Sequence, residues 1–166
     1  MIKKIYLAAG CFWGVQKYFD SIDGIVSSNV GYAQGNVANP SYQQVCTGNT
    51  NHTETIEIEY DDQIIDLVTI LDHYFHITDP FSLNQQGHDI GTQYRSGIYY
   101  LDSEQETIVK DYVANLQQQV NRKIVVETLP FSCFYLAEEY HQKYLNKNPT
   151  GYCHFNVNAK LNSFKK

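Results

Sequence analysis

No run of apolar residues in this chain comes near the roughly 18–20 that a membrane-spanning helix requires, so a bilayer partner is not expected. Nor is there a Lys/Arg cluster that could neutralise a phosphate backbone. With a formal charge of −6, the chain is a poor candidate for nucleic-acid binding. It has four cysteines, Cys11, Cys46, Cys133 and Cys153, and none of them forms a Cys-x-x-Cys pair. Neither a zinc site nor a thioredoxin-like motif is therefore suggested, and no metal is expected. The N-terminal stretch carries two lysines and a short apolar segment that runs straight into Cys11. It reads as a strand rather than a secretory signal, which places the protein in the cytoplasm. Scattered cysteines in that reducing compartment are usually inert packing residues. The question is whether one of them sits where a thiolate is stabilised.

What the chain does contain is enough for a core. Of its 166 residues 43% are hydrophobic, which argues for a folded globule, one domain spanning residues 1–166 and expected to be monomeric. Residues 2–8 read as a strand ended by Gly10, and Phe12, Val15, Phe19 and Ile22 then recur at helical spacing. Residues 25–32 suggest a second strand. In residues 53–60, Ile56, Ile58 and Tyr60 alternate with Thr55, Glu57 and Glu59, the mark of a half-buried strand. Ile64, Leu67, Val68, Leu71 and Phe75 outline a second helix. Ser103 and Glu106 form a capping-box pattern for a third, with Val109, Tyr112, Val113, Leu116 and Val120 inward. Strands are expected at 97–101 and 124–129, and a helix or helical turns at 134–145. Two polar stretches, 35–51 and 78–96, read as long loops, which in so small a domain points towards a site. The order predicts an α+β fold, a two-layer sandwich built on a split βαβ (ferredoxin-like) core with long active-site loops.

Cys11 is the best-placed thiol. It falls at the junction of the first strand and first helix, where unpaired backbone amides and the helix dipole favour an anion. Gly10 and Gly14 flank it and permit a tight turn and close substrate approach. Phe12 and Trp13 follow, and because consecutive helical side chains diverge by about 100 degrees, one can enter the core while the other stays near the thiol. Glu54 shares parity with Ile56, Ile58 and Tyr60. A core-facing carboxyl is costly unless paired, metal-bound or protonated, and desolvation raises its pKa into the range of a general acid. The bland alternative is a solvated position at a fraying strand end. His52 nearby reads as structural. His88, Asp89, Tyr94 and Arg95 lie on the second loop; with Cys11, His88 or His141 would make a cysteine hydrolase or acyltransferase, although no spacing rule supports that grouping. Tyr42 and Tyr94 stand in polar loops where a phenol can donate to a substrate oxygen. His73 and His76 lie a helical turn apart without a third ligand.

Taken together, the segments resemble the peptide-methionine (S)-S-oxide reductase family. They are Gly10-Cys11-Phe12-Trp13-Gly14, Val30-Gly31-Tyr32-Ala33, the stretch from Asn39-Pro40-Ser41-Tyr42 to Val45-Cys46-Thr47-Gly48, and His52-Thr53-Glu54. Asp89-Ile90-Gly91-Thr92-Gln93-Tyr94-Arg95-Ser96, Ala137-Glu138-Glu139-Tyr140-His141-Gln142 and Asn148-Pro149-Thr150-Gly151-Tyr152-Cys153 follow in order. The resemblance implies reduction of methionine-S-sulfoxide, free or in proteins. Cys11 would attack the sulfur, Glu54 would protonate the oxygen, and Tyr42 and Tyr94 would hydrogen-bond that oxygen, with Asp89 in the same polar cluster. Phe12 and Trp13 would hold the substrate methyl. It further implies a Cys11 sulfenic acid resolved by Cys153 and recycling by thioredoxin, or by dithiothreitol in vitro, with no metal or organic cofactor. Asn51 and His88 depart from the family's usual Gly and Asn. Cys46 reads as structural, and Cys133 matches no catalytic position.

Overall fold

The computed structural model describes residues 1–148. Its sheet has six strands: β1 (Ile2–Ala8), β2 (Ile25–Ala33), β3 (Thr53–Asp61), β6 (Gly97–Tyr100), β7 (Glu127–Pro130) and β8 (Phe134–Leu136). Their order is β7-β6-β1-β3-β2-β8. β3 is antiparallel to both β1 and β2, so β1 and β2 run parallel with β3 inserted between them. β6 adds antiparallel to β1. This is the split βαβ arrangement expected from the sequence. β1 and β2 are joined through helix α1 (Phe12–Asp20), and β3 and β6 through helix α3 (Leu67–Ile77).

The period-2 pattern of β3 decides which face is buried. Ile56 sits opposite Leu7 on one side and Val30 on the other, and Ile58 opposite Ile5. These side chains are fully buried with Val15 and Phe19 of α1, Ile70, Leu71 and Tyr74 of α3, and Val109 of helix α4 (Ser103–Gln119). Each contributes roughly 1.5–3 kcal/mol by leaving water. On the opposite parity, Tyr6, Ala8 and Tyr99 form a smaller cluster, in which the Tyr6 ring stacks on Phe131 at 4.2 Å.

Four local expectations are corrected. The stretch 35–51 is not all loop: helix α2 (Tyr42–Cys46) forms there, started by a capping box in which Ser41 accepts from the Gln44 amide at 3.2 Å and Gln44 accepts from the Ser41 amide at 2.8 Å. The third helix is capped by Asp102 rather than by Ser103. The Asp102 carboxylate accepts from the Gln105 amide at 2.8 Å, while Glu106 takes the Tyr100 hydroxyl and pairs with Lys110. Residues 134–136 form an edge strand on β2 rather than part of a helix. Gly31 admits it, since a Cβ there would lie 2.4 Å from the Tyr135 carbonyl and 2.5 Å from the Phe134 ring. Only after it come helical turns, a 3-10 turn at Glu139–His141 and helix α5 (Tyr144–Lys147). Finally, β7 begins later than expected because the Ile124 and Val125 amides are bound to Gln117 and to the Pro80 carbonyl. The stretch 78–96 carries a short hairpin, β4 (Gln85–Gln86) with β5 (Asp89–Ile90), and a 3-10 turn at Thr92–Tyr94.

Candidate active site

The chain leaves β1 at Ala8, and Gly10 turns it at φ +88°, a conformation that favours glycine. Cys11 is then the N-cap of α1, with extended backbone angles (φ −55°, ψ 120°) and a side chain only 7% exposed. A sulfur there lies at the positive end of a nine-residue helix. The pair after it divides as the helical angle requires. Phe12 is buried against Tyr32 and His141, while Trp13 stays half-buried and stacks on Tyr144 at 3.8 Å.

Glu54 reaches this helix end from β3, where it pairs with Tyr32 of β2. It is 1% exposed, so the inward reading of its parity holds and the solvated alternative does not. Its Oε1 accepts from the Phe12 amide at 3.2 Å, the residue after Cys11. Its Oε2 is buried and has no hydrogen-bond partner among the described residues. Burial pushes its pKa up to about 8; the Phe12 amide opposes this in part, and the charge of Asp89 adds to it. At neutral pH the group is therefore mostly a neutral acid. Because Oε1 already accepts an N–H, the proton belongs on Oε2, the atom left open.

The two long stretches deliver the remaining groups. Tyr42 opens α2, and its amide donates to Glu138 Oε2 at 3.0 Å; the other Glu138 oxygen accepts from the Tyr32 hydroxyl at 2.9 Å. Tyr94 ends the 3-10 turn. That turn is held to β3 by Thr53, whose hydroxyl donates to the Gln93 and Arg95 carbonyls. Arg95 braces it further through Thr92, Asn51 and Glu127. Burial raises the pKa of both phenols, and Glu54, were it charged, would raise them further. Tyr42 and Tyr94 are thus hydrogen donors over the working range, facing the same carboxyl as Asp89 on β5. Cys11, Glu54, Tyr42, Tyr94, Asp89, Phe12 and Trp13, which the sequence flagged from four separate segments, share one neighbourhood.

The family model for peptide methionine sulfoxide reductase matches residues 3–166. The peptide methionine sulfoxide reductase MsrA of Ureaplasma urealyticum serovar 10 is 57% identical over 164 residues, 99% of each chain. Mxr1 from Saccharomyces cerevisiae in reduced form superposes with a TM-score of 0.86 at 39% identity, covering 92% of this chain and 88% of that one. The same yeast protein solved in complex with Trx2 superposes at 0.61, with 26% identity over 86% of this chain and 84% of that one.

This chain belongs to the peptide methionine sulfoxide reductase family. Its reaction is the reduction of methionine sulfoxide.

For a reductase of this kind, the other flagged residues find plain roles. His52 is structural: Nδ1 accepts from the Gly35 amide at 3.1 Å and Nε2 lies 2.7 Å from the Val37 carbonyl. Asn51 takes φ +58°, a left-handed conformation open to asparagine, which accounts for its standing where the family usually has glycine. His73 is buried on the Tyr18 hydroxyl at 2.7 Å. Among the described residues no group of three or more His, Cys, Asp and Glu is arranged to hold a metal, and no helix is long and apolar enough to cross a membrane. The hydrolase grouping is not favoured. His88 is exposed, and His141 uses Nδ1 to accept from the Trp13 indole at 2.9 Å. Cys46 is exposed rather than packed, beside Tyr42, and Cys133 is half-buried near the Gly35 carbonyl. Cys153 lies outside the described residues. Sequence reasoning missed Glu138 and Tyr144 as builders of the site and weighed His141 only as a hydrolase base. The signal available for Glu138 was the matched segment 137–142, in which it was given no role; Tyr144 lies beyond that segment.

Proposed function

We propose that the chain reduces the S epimer of methionine sulfoxide, free or in proteins, with Cys11 as nucleophile and Glu54 as acid. The observation that carries the reading is the buried Glu54, held through Oε1 by the amide of the residue after Cys11 and left with an open Oε2 among the described residues. A sulfoxide oxygen leaves poorly until protonated. Phe12 and Trp13 hold the methyl group, and Tyr42 and Tyr94 donate to the oxygen, polarising the S–O bond. The Cys11 thiolate attacks the sulfur as Glu54 passes its proton to the oxygen. The S–O bond and the transient bond between the two sulfurs then break together as the hydroxyl passes to the Cys11 sulfur: one electron pair stays on the methionine sulfur, the other makes the new S–O bond, so methionine leaves reduced and Cys11 is oxidised to a sulfenic acid. Asp89 keeps a negative charge near Glu54 and so helps hold the acid protonated between turnovers.

Cys153 supplies the second thiol in this reading. It condenses with the sulfenic acid, releasing water and forming the Cys11–Cys153 disulfide. Thioredoxin, or dithiothreitol in vitro, then reduces the disulfide by thiol–disulfide exchange. The complex of the yeast relative with Trx2 supports the choice of reductant. The reaction needs no metal or organic cofactor. Residues 1–166 act as one monomeric reductase domain in the cytoplasm, a placement supported by the reliance of the cycle on reduced thiols. The test is incubation with resolved methionine-sulfoxide epimers and dithiothreitol. Loss of the S epimer alone is expected; equal loss of both, or loss of neither, overturns the reading.

A further inference from the structure

We propose that His141 is a positioning residue that holds the Trp13 indole in its substrate-binding orientation, and does so only as a neutral ring. The proposal rests on the reading that Trp13 holds the substrate methyl.

The geometry carries it. Trp13 Nε1 donates to His141 Nδ1 at 2.9 Å across 128 residues of sequence. An indole N–H can only donate, so Nδ1 must be the bare nitrogen and the ring proton sits on Nε2. A protonated ring would carry hydrogen on both nitrogens and turn this contact into two opposed donors. His141 is 1% exposed, and its Nε2 is buried with no partner among the described residues. An imidazolium there would lack an acceptor on either side.

The same ring touches both halves of the site. It packs at 5.3 Å from the Phe12 ring, 5.8 Å from Trp13 and 4.5 Å from Tyr42, between the aromatics that hold the methyl and a phenol that holds the oxygen. Trp13 is fixed on its other side by the stack on Tyr144. The indole is thus held by one hydrogen bond and one stack, and the bond fails when His141 gains a proton.

The groups facing the ring set where that happens. From its own segment come Glu138 and the Tyr140 phenol; from α2, the Tyr42 phenol; from α1, the uncharged Phe12 and Trp13. Desolvation lowers the His141 pKa from its ordinary value, and the Glu138 carboxylate offsets this only in part. Glu138 is itself held as a carboxylate by the Tyr42 amide and the Tyr32 hydroxyl. The ring is therefore neutral at pH 7 and charges only below the ordinary histidine range.

Trp13 is the single tryptophan of the sequence, so intrinsic tryptophan emission reports this contact directly. In the substrate-free wild-type protein, emission should titrate with a midpoint below about 6.5, because an adjacent imidazolium quenches an indole. His141→Asn places an amide oxygen near the position of Nδ1 and cannot titrate. It should keep a near wild-type KM at pH 7 and lose the acid transition in emission. His141→Phe keeps an aromatic ring but no acceptor. It should raise KM by about five- to tenfold, the worth of one neutral hydrogen bond, with kcat changed much less. The proposal is overturned if wild-type emission shows no transition that His141→Asn removes, or if His141→Phe leaves KM unchanged. The emission titration needs no substrate and no turnover. A failure of the assigned reaction would leave it standing, and a failure of the titration would leave the reaction standing. It also remains decisive should His141→Phe fold poorly.

Discussion

Replacing Glu54 by glutamine keeps the shape of a carboxylic acid and removes its proton, which separates the two things this side chain does. A carboxyl that titrates at 4.5 in the unfolded chain and at about 8 in the folded one binds its proton more tightly when folded. Below pH 4.5 both states are protonated and there is no penalty. As pH rises towards 8 the unfolded state ionises and is stabilised, while the folded state cannot follow, so stability falls. The loss amounts to about 3 kcal/mol at pH 7 and about 5 kcal/mol above pH 8, at 1.36 kcal/mol per pKa unit. Glu54→Gln is neutral in both states and lacks this slope. Any constant cost of burying its amide is the same at every pH. Urea unfolding of both proteins at pH 4.5, 7 and 9 measures the difference directly. The variant should gain on the wild type by these amounts as pH rises. The same variant should slow methionine release in a single turnover by about 10²- to 10⁴-fold, since an amide does not donate a proton to an alkoxide-like oxygen as an acid does. Wild-type release should decline above pH about 8 as the acid ionises, and the variant should show no such limb. A stability difference that is flat from pH 4.5 to 9, or a wild-type release rate unaltered across the same range, refutes the buried acid.

Three further outcomes are expected. Tyr42→Phe and Tyr94→Phe each remove one donor from the sulfoxide oxygen and should slow the reductive step by about tenfold, the double variant more, measured as methionine released per chain before recycling. Cys153→Ser should still release one methionine but should fail to cycle with thioredoxin, and sustained thioredoxin-driven turnover would remove Cys153 from its role. Ser41→Ala deletes the cap of α2 at a cost of about 1 kcal/mol in stability, read from the urea midpoint. Because Tyr42 is the next residue, the same change should also reduce the rate of methionine release.

Much of the site could be read in the chain because strand parity and helix ends are local. Glu54 follows the alternation of Ile56 and Ile58 into the core, and Cys11 follows Gly10 onto a helix N-terminus; both readings rest on the covalent geometry of single elements. What the chain conceals is contact across long separations. The Glu54 bond to Phe12 spans 42 residues, the Glu138 bond to Tyr42 spans 96, and the Trp13 bond to His141 spans 128. No periodicity encodes these. The errors have local causes too. The capping box of α2 is present in Ser41 and Gln44, but it is embedded in polar sequence where loop composition outweighs it. β8 is only three residues long, too short for alternation to distinguish it from the helical turns that follow. At the start of α4, Asp102 and Ser103 are both good caps, and the charged acceptor takes the position.

The most direct test of the account is the amount of methionine formed when the enzyme meets excess methionine-S-sulfoxide without any reductant. One methionine per chain should appear, with the oxidising equivalent held in the Cys11–Cys153 disulfide, and none should appear from Cys11→Ser. Sustained methionine production without a reductant, or a full equivalent from Cys11→Ser, would contradict it.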